Sequence, residues 1–136
     1  MRAKVKQNWK IVGPTIGGFV AWSIICISIN TLVFLSFPSF FNEDGTSPFI
    51  TINISMLALT LVYSLIAGGV NALIADTHHR RHAAVLSLLQ LTVGTAVQAS
   101  YWDLLPVWYH LSFLALLPLG IMAGAEFVRH RKVGPG

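Results

Sequence analysis

Polar and apolar positions separate along this chain into long apolar runs parted by short polar breaks. Residues 11–37 hold no Asp, Glu, Lys, Arg or His, and such a run exceeds the roughly 20 apolar residues that cross a bilayer as a helix. A second run covers about 49–75, a third 83–102 and a fourth 108–128. Each predicts one transmembrane helix.

The breaks carry turn chemistry. Residues 38–48 (PSFFNEDGTSP) gather turn formers, and Pro48 suits the start of the following helix. The tract Asp76-Thr77-His78-His79-Arg80-Arg81-His82 reads as a solvated loop, and Asp103-Leu104-Leu105-Pro106 as a tight turn. Short connections make consecutive helices antiparallel. The expected fold is all-α, an integral membrane bundle of four transmembrane helices in up-down-up-down order, forming a single domain over residues 1–136.

Composition supports a lipid solvent. The chain is 54% hydrophobic and 10% charged, against about 25% charged in soluble domains, so it lacks the polar surface to wrap a core in water. The net charge of +4 comes with a clear distribution. Arg2, Lys4, Lys6 and Lys10 precede the first run, Arg80 and Arg81 separate the second from the third, and Arg129, Arg131 and Lys132 follow the fourth. With four crossings every Lys and Arg falls on one side, so both termini are expected in the cytoplasm of a multi-pass protein of the cell (inner) membrane. The opposite loops hold Glu43, Asp44 and Asp103, and Tyr101, Trp102, Trp108 and Tyr109 mark the headgroup layer there. These scattered cations form no continuous basic face, which argues against nucleic acid as a partner. The bilayer is the expected partner, with Arg80, Arg81, Arg129 and Arg131 on lipid headgroups.

Between helices in lipid, small residues and polar groups mark the contact faces. The second run places Asn53, Thr60, Ser64, Gly68 and Asn71 on one stripe, and the third places Ser87, Gln90, Gly94, Gln98 and Tyr101 on another. The two stripes are expected to meet, as structural glue or as the lining of a polar path. Ser23, Cys26 and Asn30 share one side of the first run, whose Gly13-Pro14-Thr15-Ile16-Gly17 segment suits a kink or close approach. Gly120 and Gly124 of the fourth form a small-xxx-small pair for another helix or subunit.

Chemistry is sparse. Mid-membrane positions carry no ionisable residue of the kind that couples ions or protons, and the single Cys26 excludes an internal disulfide or dithiol relay. Glu126 and Asp76 sit near the cytoplasmic ends, where Arg80, Arg81, Arg129 or His130 offer partners. No metal site is expected in the His-rich tract, because Arg80 and Arg81 repel a cation. His110 is the one candidate for an axial haem or chlorophyll ligand; otherwise it bonds a neighbouring backbone group or Asp103. No cofactor is the simpler expectation. No catalytic residue is assigned, since no nucleophile, base and orienting group cluster. The expected function is a small non-enzymatic accessory or scaffold subunit of a membrane complex, or a homo-oligomer. The alternatives are a small transporter or channel with a polar path between the second and third helices, and a cofactor-carrying subunit using His110.

Overall fold

The computed structural model describes residues 2–133, with side chains for residues 9–132. It is all-helical: α1 (Arg2–Ser36), a short 3-10 turn (Pro38–Phe40), α2 (Ile50–Ile74), α3 (His79–Ser100) and α4 (Val107–Val133). Each of the four long helices contains a stretch long and apolar enough to span a membrane, as expected of a multi-pass helical membrane protein.

The helices outrun their apolar stretches. α1 begins at Arg2, and α4 continues to Val133 rather than stopping near 128. Hydropathy marks where lipid is tolerated, whereas backbone hydrogen bonding carries a helix on into charged residues that favour helix just as well. The difference that changes a loop is at α3, which starts at His79 rather than 83. His78 takes a left-handed conformation with φ of 55° and starts the helix there. The expected loop shrinks to residues 75–78, so Arg80, Arg81 and His82 belong to the first turn of α3. His82 is accordingly buried, at 6% exposure, and not solvated.

Several contacts gather the start of α1, the end of α2, the start of α3 and the end of α4 at one end of the bundle, here the terminal end. Asn71 Nδ2 donates to the carbonyl of Pro14 at 2.9 Å and to that of His82 at 3.4 Å. Arg80 reaches Glu126 across α3 and α4. Lys132 Nζ donates to the carbonyls of Ala72, Leu73 and Ala75 at 2.9, 3.0 and 3.2 Å. A cation from α4 thereby closes the last turn of α2, where orphan carbonyls and the negative end of the helix dipole favour it.

The principal contact is between α2 and α4, followed by α1 with α2 and α3 with α4. α2 and α3, although consecutive, meet only marginally and lie across the bundle from each other. The two polar stripes therefore do not join as expected. Gly68 of α2 packs against α4 instead, where a Cβ would overlap the carbonyl of Ile121, and a Cβ at Gly124 would overlap that of Leu65. Gly120 sits on Leu61 and Ser64 in the same seam. Gly68, Gly120 and Gly124 let two backbones touch, which is how helices gain van der Waals contact in lipid.

Two apolar clusters divide the interior. Ala67, Ala72, Ala83, Leu86, Ile121 and Ala125 fill the terminal end. Leu57, Phe113 and Leu117 form the other cluster toward the opposite, loop end. Trp22 packs against both.

Candidate functional site

Where α2 and α3 stand apart, a cavity of about 330 Å³ opens in the loop half of the bundle. α1 contributes Trp22, Cys26 and Asn30, α2 contributes Asn53, Met56 and Thr60, and α3 contributes Gln90, Val93, Gly94, Val97 and Gln98. Tyr109 and Phe113 of α4 complete the wall. Gln90, Gly94, Gln98 and Asn53, expected at a helix interface or along a polar path, share this lining. Ser64, Gly68, Asn71, Gly120 and Gly124 do not belong to it.

The connection from α1 to α2 forms the roof through Phe41, Asp44, Gly45, Thr46 and Ser47. Hydrogen bonds tie it into a compact knot. Thr46 donates to Asp44 Oδ1 from its backbone N–H at 2.9 Å and from its hydroxyl at 2.5 Å. These bonds, the hydroxyl's foremost, hold the Asp44 carboxyl below its ordinary pKa. The backbone N–H of Gly45 donates to the Asn42 carbonyl at 3.0 Å, closing a turn whose last position, Gly45, has φ of 83° and so favours glycine, and the Asn42 N–H donates to the Thr46 carbonyl at 2.7 Å. Ser47 Oγ donates to the Phe40 carbonyl at 2.6 Å, and Asn53 Nδ2 donates to the Ser47 carbonyl at 3.2 Å, fastening the roof to α2. Thr46 and Ser47 are buried by this folding. The aromatic pairs Phe34–Phe41 and Phe40–Phe49, with centroids 5.5 and 5.8 Å apart, seat the knot on its flanking helices.

Side chains in the wall are held by cross-helix bonds. Tyr63 OH donates to Asn30 Oδ1 at 2.8 Å, and Trp22 Nε1 donates to Ser64 Oγ at 3.3 Å. Asn30 Nδ2 faces the Cys26 sulfur at 3.4 Å. Gln90 is 1% exposed, and its Nε2 has no hydrogen-bond partner. Toward the terminal end the space is shut by the close approach of Gly18 to Leu86 and Asn71. Asn71 thus belongs to the seal and not to a path.

His110 is fully buried beside the cavity. Its Nδ1 pairs with the Gln98 amide, its Nε2 donates to the Trp102 carbonyl at 3.2 Å, and its ring stacks on Trp102 at 4.6 Å. Both ring nitrogens are engaged, so the arrangement does not fit the axial-ligand expectation, which needs a free nitrogen facing open space. Its carbonyl partner is the backbone of Trp102 rather than the Asp103 carboxylate. Among the described residues, no three His, Cys, Asp or Glu side chains converge to hold a metal ion.

The basic residues assigned to headgroups lie at the terminal end. Arg80 Nη2 meets Glu126 Oε1 at 2.6 Å, and Arg129 Nε meets Oε2 at 2.5 Å. Solvent screens such pairs, so they add little to stability. Arg131 lies over the Phe127 ring at 4.9 Å. Arg81 is exposed. Arg80, Arg81 and Arg129 line a shallow basic concavity with His78 and His79.

Sequence reasoning passed over Trp22, although it stands four and eight residues before Cys26 and Asn30, a helical spacing that extends their stripe. Phe113, Thr46 and Ser47 gave no comparable signal, because their roles depend on where α4 and the roof fold back. The chain matches no known protein family, no characterised protein and no solved structure.

Proposed function

We propose that this chain is a non-enzymatic integral membrane protein that crosses the cell membrane up-down-up-down with both termini in the cytoplasm, and that its bundle holds a small ligand reached from the outer side. The cavity between the α2 and α3 stripes carries this reading. Polar stripes serving only as glue would close on each other, whereas these stand apart around a space lined by amides, hydroxyls and rings. Contact pairs support the topology: Gly18 lies by Asn71 while Asn30 lies by Tyr63, and Arg80 reaches Glu126 while Gln98 reaches His110. The placement of every Lys and Arg at the terminal end supports the orientation.

A continuous channel fits less well, because the seal of Gly18, Leu86 and Asn71 ends the cavity halfway. Ligand holding without a through-path suits a small accessory subunit among other membrane subunits, or a homo-oligomer. The test joins mild detergent extraction with thermal melting against a panel of small neutral compounds. The reading predicts an assembly larger than one chain and at least one compound that raises the melting temperature, an effect lost when Val93→Phe fills the cavity. A lone monomer that still binds the compound contradicts the subunit role. Stabilisation that survives Val93→Phe contradicts the cavity as the binding site.

A further inference from the structure

Resting on the reading of the cavity as a ligand site, the chemistry of its lining narrows what enters. Three of its amides are already engaged: Asn30 Oδ1 accepts from Tyr63, Asn53 Nδ2 donates to the Ser47 carbonyl, and Gln98 pairs with His110. Two nitrogens are left over. Asn30 Nδ2 faces only the Cys26 sulfur at 3.4 Å, a weak acceptor, and Gln90 Nε2 faces no partner at all. Asn71 Oδ1, His79 Nε2, His82 Nδ1 and Ser87 Oγ also lack partners, but none of those residues lines this cavity, and His79 borders only the shallow basic concavity. Among the described residues, Gln90 alone combines a buried, unpaired polar atom with a place in the cavity wall. A ligand that satisfies this amide must bring an acceptor.

Charge and shape add to this. No Lys, Arg or His belongs to the lining, and its one carboxylate, Asp44, is taken up by Thr46 in the roof. An anion finds no counter-ion there, and a cation finds none in the depth of the space. Trp22, Tyr109 and Phe113 supply flat apolar walls. A volume of about 330 Å³ stands at the small end of ligand pockets, which run from about 300 to 1,000 Å³. We propose that the cavity binds a neutral, flat, one- or two-ring compound bearing a carbonyl acceptor. Gln90 and Asn30 donate to that carbonyl while Trp22 and Phe113 flank the ring.

Trp22 provides the readout. In full-length protein carrying Trp9→Phe, Trp102→Phe and Trp108→Phe, held in lipid nanodiscs, naphthoquinone is titrated as a quencher, with naphthalene and naphthoate as competitors. The expected result is saturable quenching, with naphthalene and naphthoate competing at least about tenfold more weakly. Gln90→Leu and the less bulky-branched Gln90→Met each weaken the quinone by about tenfold and leave naphthalene unchanged. Equal competition by all three compounds, or quinone binding indifferent to both Gln90 variants, overturns the ligand class and leaves the outer cavity standing. Purely collisional, unsaturable quenching also overturns the class. If Thr60→Cys in a Cys26→Ser background is at the same time closed to an external thiol reagent, the cavity reading falls with it.

Discussion

At the terminal end α2 and α4 press backbone to backbone at Gly68 and Gly124, whereas at the loop end α2 and α3 stand apart around open space. Both ends bury polar side chains between helices. At the first, Asn71 spends its nitrogen on the Pro14 carbonyl and Lys132 closes the end of α2. At the second, Gln90 leaves its nitrogen unpaired against a cavity. The difference separates residues that hold the bundle together from residues kept available, although both kinds lie on the same helical stripes in the sequence.

Substitutions at the two ends should therefore differ in their effect on stability. The largest loss is expected from Gly124→Leu, whose side chain has no room against the Leu65 carbonyl. On the order of 3 kcal/mol should disappear in a denaturant titration in mixed micelles; an unchanged midpoint would break the α2–α4 seam. Asn71→Leu removes the bond to Pro14 and should cost about 1 kcal/mol. Lys132→Ala uncaps α2 and should cost about 0.5 kcal/mol, read by the same titration and by faster amide exchange in the last turn of α2. At the loop end, Gln90→Leu should leave the midpoint where it is or raise it slightly, since it removes an unpaired buried amide. A loss as large as that of Asn71→Leu would erase the distinction between the ends.

The smallest effect is confined to the roof. Asp44 is held in its charged form by Thr46, so its folded pKa lies below the unfolded value of about 4. Its contribution is present above that value and is lost as the pH falls through the folded pKa. Amide protection at Thr46 should fall on acidification in the natural chain, and Asp44→Asn should show no such acid step.

The sequence made the four apolar spans legible, because a long uncharged run has few other structural uses. The buried faces of α2 and α3 were legible as well: Asn53, Thr60, Ser64, Asn71, Gln90 and Gln98 are all buried. Which face meets which helix was not legible. Helical periodicity fixes the direction of a stripe relative to its own axis, and the α2–α4 seam, formed between helices separated by all of α3, decides the partner. The extra turn of α3 escaped notice as well. His79, Arg80 and Arg81 look like a loop by hydropathy, while the bond from the His82 N–H to the His78 carbonyl carries the helix through them. The cavity was foreshadowed only by the amides on its two sides, and its roof depends on local hydrogen bonds among Asn42, Asp44, Thr46 and Ser47.

Thiol accessibility separates the two ends most directly. In a Cys26→Ser background, Thr60→Cys places a thiol in the cavity wall and Ala67→Cys places one in the packed terminal cluster. With an impermeant thiol reagent added outside intact cells, the account predicts modification of Thr60→Cys and none of Ala67→Cys from either side of the membrane. Equal modification at both positions, or modification of Thr60→Cys from the cytoplasmic side alone, would contradict it.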